Sequence, residues 1–173
     1  IVLNSAQIGG LSSGQLNALL STQVKALTNN QIKLVSDGQL GSLSSLQLTM
    51  VESSQLNALT SGQVAGLGVA QVRGLTTDQV SSLSAQILNA LGGTQLTALL
   101  TSQVVVLTTD QMASFGTLQV AALANAQLSA MRTSQVAAIE TRDIRAISDS
   151  RILAFGTDQV SSMQVAQVAA LAS

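Results

Sequence analysis

Glutamine returns every eight residues along this chain, and few folds can satisfy an eight-residue period. The row runs Gln7, Gln15, Gln23, Gln31, Gln39, Gln47, Gln55, Gln63, Gln71 and Gln79, resumes at Gln95, Gln103, Gln111, Gln119, Gln127 and Gln135, and ends with Gln159 and Gln167. With glutamine as position one, 18 of the 21 octads beginning at residues 7 to 167 carry it. Position two is always aliphatic or Met, from Ile8 to Val168, and position five is always apolar, from Leu11 to Leu171. Position four is mostly Ala, Gly or Ser, and positions six to eight are mostly Ser, Thr, Gly, Asn and Asp.

An unbroken helix cannot use this pattern. Eight residues at 100° each overshoot two full turns by about 80°, so the apolar stripe would wind around the rod and no single partner would cover it. A strand alternates with period two, whereas the two apolar sites lie three apart. A three-residue step inside an eight-residue unit fits a short helix that stops and restarts. The expected fold is therefore all-α, a solenoid of very short helices with one per octad. Such a helix does not form alone, because nucleation costs more than so few hydrogen bonds return; it depends on its neighbours.

The polar positions supply stop and start signals. Position seven reads as the N-cap, as at Ser13, Ser21, Thr77 and Thr109, with position eight opening the helix and Asp78, Asp110 and Asp158 suiting its positive end. The alternative places the cap at position six, as Thr76 with Gln79 three residues later, a capping box. Glycines at position six (Gly68, Gly92, Gly116, Gly156) fit a left-handed helix stop. Positions two and five form the buried face, small residues at position four let helices approach closely, and positions three, seven and eight face outward. The glutamines lie at the edge of the buried face. Their amides, donor and acceptor at once, are expected to form a row that bonds the backbone of the next turn and satisfies helix ends.

Three octads depart from the pattern. At 87 the glutamine site falls to Ile87, with Leu88 and Leu91 keeping the apolar sites and Gln86 on the surface. Asp143 and Arg151 replace glutamine in consecutive octads, within a stretch (132–158) that holds eight of the fifteen charged residues. Their opposite signs predict an ion contact between them in place of an amide contact. A partner patch formed by Asp143, Arg151, Arg142 and Arg145 is the functional alternative.

Composition excludes several functions. There is no His, Cys, Trp, Tyr or Pro. The common general bases and thiol nucleophiles are missing, so an enzyme is not expected, and neither a thiolate metal site nor a cofactor is. The net charge of −1 leaves no basic surface for nucleic acid. A spanning helix needs about 20 apolar residues in succession; here a Gln or a hydroxyl pair interrupts each octad, so no membrane span is expected. The uniform pattern across residues 1–173 reads as a single array of about 21 octads, expected to be a segment of a longer chain. No alternation over 16 or 24 residues is visible, so the number of octads in a superhelical turn stays open.

The stretch Leu75-Thr76-Thr77-Asp78-Gln79-Val80, with Leu83 following, resembles the tandem Ser/Thr-x-x-Gln-Val-x-x-Leu repeats of very large bacterial secreted or cell-surface proteins. The resemblance spans essentially the whole chain and implies an extended extracellular or cell-surface spacer, adhesin stalk or filament segment; a structural stalk, fibre or surface-assembly segment is the expected function, with self-association expected because the apolar ends of an uncapped solenoid tend to stack. A protein- or glycan-binding solenoid module of an adhesin is the alternative. No catalytic residue comes with it.

Overall fold

The computed structural model describes residues 3–171, and among them it contains twenty-one helices of four to seven residues and no strand. Each octad contributes one helix. In the octad that carries Thr77, for example, the chain is helical over Thr77–Ser81 and the cap at Ser82 is still in the right-handed region. The break between helices is short. From Ser12 to Gly156 position six is extended (Thr76 at φ −71°, ψ 158°), and Leu75, Leu99 and Leu123 at position five are extended as well. A corner of one or two extended residues is all that separates one helix from the next.

Two local expectations are corrected. The N-cap is position six, not position seven: Ser12, Thr28, Ser36, Ser44, Thr60, Thr76 and Thr108 accept the backbone N–H three residues on. Position seven is the first helical residue. The position-six glycines do not stop helices in left-handed geometry either. No described residue has a positive φ, and Gly68, Gly92, Gly116 and Gly156 are extended N-caps. The physical reason is common to both. The helix ends by turning into the next cap through extended backbone, which any L-residue adopts, so no left-handed residue is needed.

The chain divides into two compact units, Ile1–Leu91 and Gly92–Ser173. In the first, helices stack on the third helix along. Thus α3 (Ser21–Lys25) packs on α6 (Ser45–Thr49), which packs on α9 (Val69–Gly74). Between the layers lie positions two and five, among them Leu40, Leu43, Leu48, Val51, Leu56 and Leu59, all buried. Position four is small where helices cross. A Cβ on Gly74 would lie 2.8 Å from the Cβ of Ser45, and one on Gly66 would lie 3.2 Å from the Cβ of Asp37. The octad at 87 keeps the register: Ile87, Leu88 and Leu91 are buried, and Gln86 is exposed.

The second unit repeats the arrangement. There α14 (Thr109–Ala113) packs on α17 (Thr133–Ala138), and α17 on α20 (Thr157–Ser161). Likewise α15 (Thr117–Ala122) packs on α18 (Thr141–Ile144), and α18 on α21 (Val165–Leu171). Its core is the same two positions, including Val120, Leu123, Leu128, Met131, Val136 and Ile139. Both units are solenoids of short helices.

The turn length follows from the side-chain contacts. Helices pack three octads apart, while glutamine amides reach carbonyls 28 and 31 residues back. A separation of 28 residues is three and a half octads, so a turn holds between three and four. This explains why no alternation appears in the sequence. Every octad in the interior of a unit meets parts of two different octads in the adjacent turn, and these interior octads share one environment.

Candidate functional site

The most organised feature of the molecule is the glutamine row. In all 18 glutamine octads the amide oxygen Oε1 accepts the backbone N–H of the N-cap residue three positions earlier, at 2.6–2.9 Å; Thr76 to Gln79 is 2.9 Å and Ser36 to Gln39 is 2.6 Å. This is one half of a capping box. The other half is optional. Where position six is Leu20, Gly68, Ala124 or Arg132, no side-chain oxygen caps the helix, and the N–H of glutamine goes to the backbone carbonyl of that residue instead. The tolerance of position six for Leu, Gly and Ala follows from this, because the glutamine, not the hydroxyl, is the constant member.

The amide nitrogen Nε2 of the same side chain points to the adjacent turn. Within the first unit Gln63 donates to Val35 and Ile32 at 2.5 and 2.8 Å, Gln71 to Leu43 and Leu40 at 2.7 and 3.0 Å, and Gln79 to Val51 and Leu48 at 2.7 and 2.8 Å. Gln39 and Gln55 reach Leu11 and Leu27 in the same way. Within the second unit Gln127 reaches Leu99 and Leu96, Gln135 reaches Leu107 and Val104, Gln159 reaches Met131 and Leu128, and Gln167 reaches Ile139 and Val136. The carbonyls are those of positions five and two, at the end of a helix and the corner after it. One neutral amide therefore closes its own helix start and clips that helix to the end of another, one turn back. From Gln31 to Gln79 these side chains are buried, as are Gln127, Gln135, Gln159 and Gln167. They lie within the core layer, deeper than the edge position expected from the helical wheel.

The expected ion pair between Asp143 and Arg151 does not form. Among the described residues no ion pair joins them, and the reason is the turn length: consecutive octads occupy different sides of a turn. Each side chain instead faces backbone or side chains 26 to 30 residues earlier. Asp143 is fully buried, accepts the hydroxyl of Thr117 at 2.6 Å, and is paired with Arg142 at 3.2 Å. Arg142 is largely exposed, and its hydrogen bond to Asp143, with Glu140 close by at 3.0 Å, pushes its pKa above the ordinary arginine value. Arg151 donates through Nη1 to the carbonyl of Ala121 at 2.5 Å, while its Nη2 is buried without a partner. Arg145 is exposed at position three. Arg142 and Asp143 form a local pair with Glu140, while Asp143 and Arg151 both meet α15, through the Thr117 hydroxyl and the Ala121 carbonyl.

Asn57 is the residue that the sequence reading missed. The octad at Ile87 has no amide to take the N–H of its N-cap, Ser84. Asn57, at position three in the preceding turn, supplies the acceptor at 2.7 Å and donates in turn to the carbonyl of Ser82 at 2.8 Å. Asn17 stands in the same place in a near-identical octad, so no signal distinguishes Asn57 until the turn length is known.

Among the described residues no three His, Cys, Asp or Glu side chains are grouped to hold a metal, and no helix is long and apolar enough to cross a membrane. A groove of about 730 Å³ lies in the second unit between Arg132, Thr133 and Ser134 on one side and Thr157 and Asp158 on the other. The Arg132 guanidinium is already bound to the carbonyl of Leu107 at 2.8 Å.

A family model for the ALTTAQ repeat matches residues 2–29, 50–85 and 136–173, together more than half of the chain. The six letters of that description fall on positions four to eight and one, as in Gly74-Leu75-Thr76-Thr77-Asp78-Gln79. No curated protein gave a significant match.

Proposed function

We propose that this chain, which belongs to the ALTTAQ repeat family, is a structural segment: one continuous array that serves as a stalk, fibre or surface-assembly element outside a bacterial cell and associates with its own kind. The observation that carries this reading is the use to which the most regular polar group is put. An amide that recurs in 18 octads, is buried from Gln31 to Gln79 and at Gln127, Gln135, Gln159 and Gln167, and there spends its donor and its acceptor on the chain's own backbone is committed to holding turns together. No other polar group recurs with such regularity. Stability in such arrays is close to a sum of local terms, which lets length be chosen freely, as a spacer requires.

Small-angle scattering of the purified chain tests the reading. A compact chain of this length has a radius of gyration of about 16 Å. A spacer gives a value well above that, with the scattering profile of a rod. A compact particle would remove the stalk and fibre assignment.

The second reading, a protein- or glycan-binding module, is favoured by the groove between Arg132 and Asp158, which lies inside the charge-rich stretch. Its test is a glycan array and a titration with acidic and basic peptides. Saturable binding that is lost on Arg132→Ala and Asp158→Ala would replace the structural reading.

A further inference from the structure

Inside the first unit one joint between adjacent turns is made differently from its neighbours. Gln79 shows the ordinary joint. Its side chain is buried, its Oε1 takes the Thr76 N–H at 2.9 Å, and its Nε2 reaches Val51 and Leu48 at 2.7 and 2.8 Å. One octad on, Ile87 stands in that place and can neither donate nor accept. The same offsets of 28 and 31 residues lead back from Ile87 to the carbonyls of Leu59 and Leu56. Leu59 is 3% exposed, and its carbonyl receives no donor among the described residues. The Leu56 carbonyl takes the Leu59 N–H of its own corner at 3.2 Å and has no amide from the adjacent turn.

The polar groups that do cross this joint lie at the surface. Exposed Asn57 takes the Ser84 N–H at 2.7 Å and donates to the Ser82 carbonyl at 2.8 Å. Water competes for such bonds, whereas it does not reach those of Gln79. The cap is slacker too: the Ile87 N–H lies 3.4 Å from the Ser84 hydroxyl, against 3.1 Å for Gln79 and Thr76. Ile87, Leu88 and Leu91 are buried and keep the joint closed by apolar contact, which has no preferred direction.

We infer that the joint between the corner at Leu56–Leu59 and α11 (Ala85–Asn89) is a built-in opening point, where the first unit parts and recloses while its other turns stay shut. Opening there breaks two solvent-exposed hydrogen bonds, which water replaces, and it hydrates a buried carbonyl that the closed joint leaves without a donor. Opening at Gln79 breaks two buried bonds and relieves no such carbonyl. Local opening is easiest where buried contacts are few and hydrogen bonds are exposed. In a spacer under load this joint yields first and spares the rest. That consequence rests on the structural reading above; the opening itself does not.

Hydrogen exchange tests the inference on matched amides. Leu88, Ala90 and Leu91 bond to their own octad as Val80, Ser82 and Leu83 bond to theirs, at 3.0–3.3 Å in both sets, so the joint is what differs. In the unaltered chain the first set should exchange about tenfold faster, the factor that one net hydrogen bond supplies. Ile87→Gln should bring the two sets within about twofold of each other, and Asn57→Ala should widen the gap. Equal rates in the unaltered chain overturn the inference, as does a gap that survives Ile87→Gln. Should Ile87→Gln lose helical signal in circular dichroism, Asn57→Ala decides, and a gap that it leaves unchanged overturns the inference. A compact scattering profile with the exchange gap intact removes the spacer reading and leaves the opening point; a rod-like profile without the gap does the reverse.

Discussion

Within the second unit, the octads at Gln127 and Gln135 differ from those at Asp143 and Arg151 in how they meet one requirement. Gln127 takes the N–H of Ala124 at 2.7 Å and gives its own N–H groups to Leu96 and Leu99 at 2.8 and 2.7 Å. Asp143, an acceptor only, meets the adjacent turn through the Thr117 hydroxyl and gives nothing to its carbonyls; Arg151, a donor only, reaches Ala121 but leaves Nη2 without a partner. The amide does both jobs, without charge, in a buried place. A carboxylate or guanidinium does one of them and must be desolvated as well. The octad at Ile87 shows a third solution, in which Asn57 from the adjacent turn assumes the acceptor's task.

The largest effect should come from removing a complete clip. Gln127→Leu fills the space but strands the Ala124 N–H and the Leu99 carbonyl, and it should cost roughly 3 kcal/mol in urea unfolding, since a buried group left unpaired costs about 1–3 kcal/mol. A loss under about 1 kcal/mol would show that packing at positions two and five holds the turns without the amides. Next comes the substitute at the odd octad. Asn57→Ala should cost about 1.5 kcal/mol, and the same change made on top of Ile87→Gln should cost about half as much, because the new amide takes the Ser84 N–H. Equal costs in both backgrounds would dissolve the proposed exchange of roles.

The charged octads give an effect of opposite sign. Asp143→Gln should stabilise by about 1 kcal/mol by restoring a donor toward the preceding turn. Arg151→Gln should stabilise by a similar or smaller amount. A loss of more than about 1 kcal/mol for Arg151→Gln would indicate that it holds an ion contact worth keeping. The smallest effect separates the two cap positions. Thr76→Ala should cost roughly 0.5 kcal/mol, the low end for an N-cap, because Gln79 still closes the other half of the box. Thr77→Ala should be silent in the same thermal or urea measurement.

Much of this was legible in the sequence, and the limits have physical causes. The apolar pair three apart and the octad period determine the short helix and its buried face, down to Ile87 occupying the glutamine site with Leu88 and Leu91 beside it. The cap was misplaced by one because Thr76 and Thr77 are both good caps locally, and the choice falls to the residue whose N–H the glutamine can reach. Left-handed glycine stops were expected at Gly68 and Gly92 because helices commonly end that way, but the corner uses extended backbone. The contact partners of Asp143, Arg151 and Asn57 depend on the number of residues in a turn. That quantity is set by how helices pack across layers and leaves no periodic trace in a chain whose octads are all alike.

A turn of more than three octads and fewer than four has one more result. Within either unit, like bricks laid in running bond, each helix straddles the joint between two others in the course beside it, so a damaged octad sheds its load onto two supports. It also frees the gene to gain or drop single octads. Since no whole number of them makes a course, adding one merely shifts the bond along, and the wall closes over it.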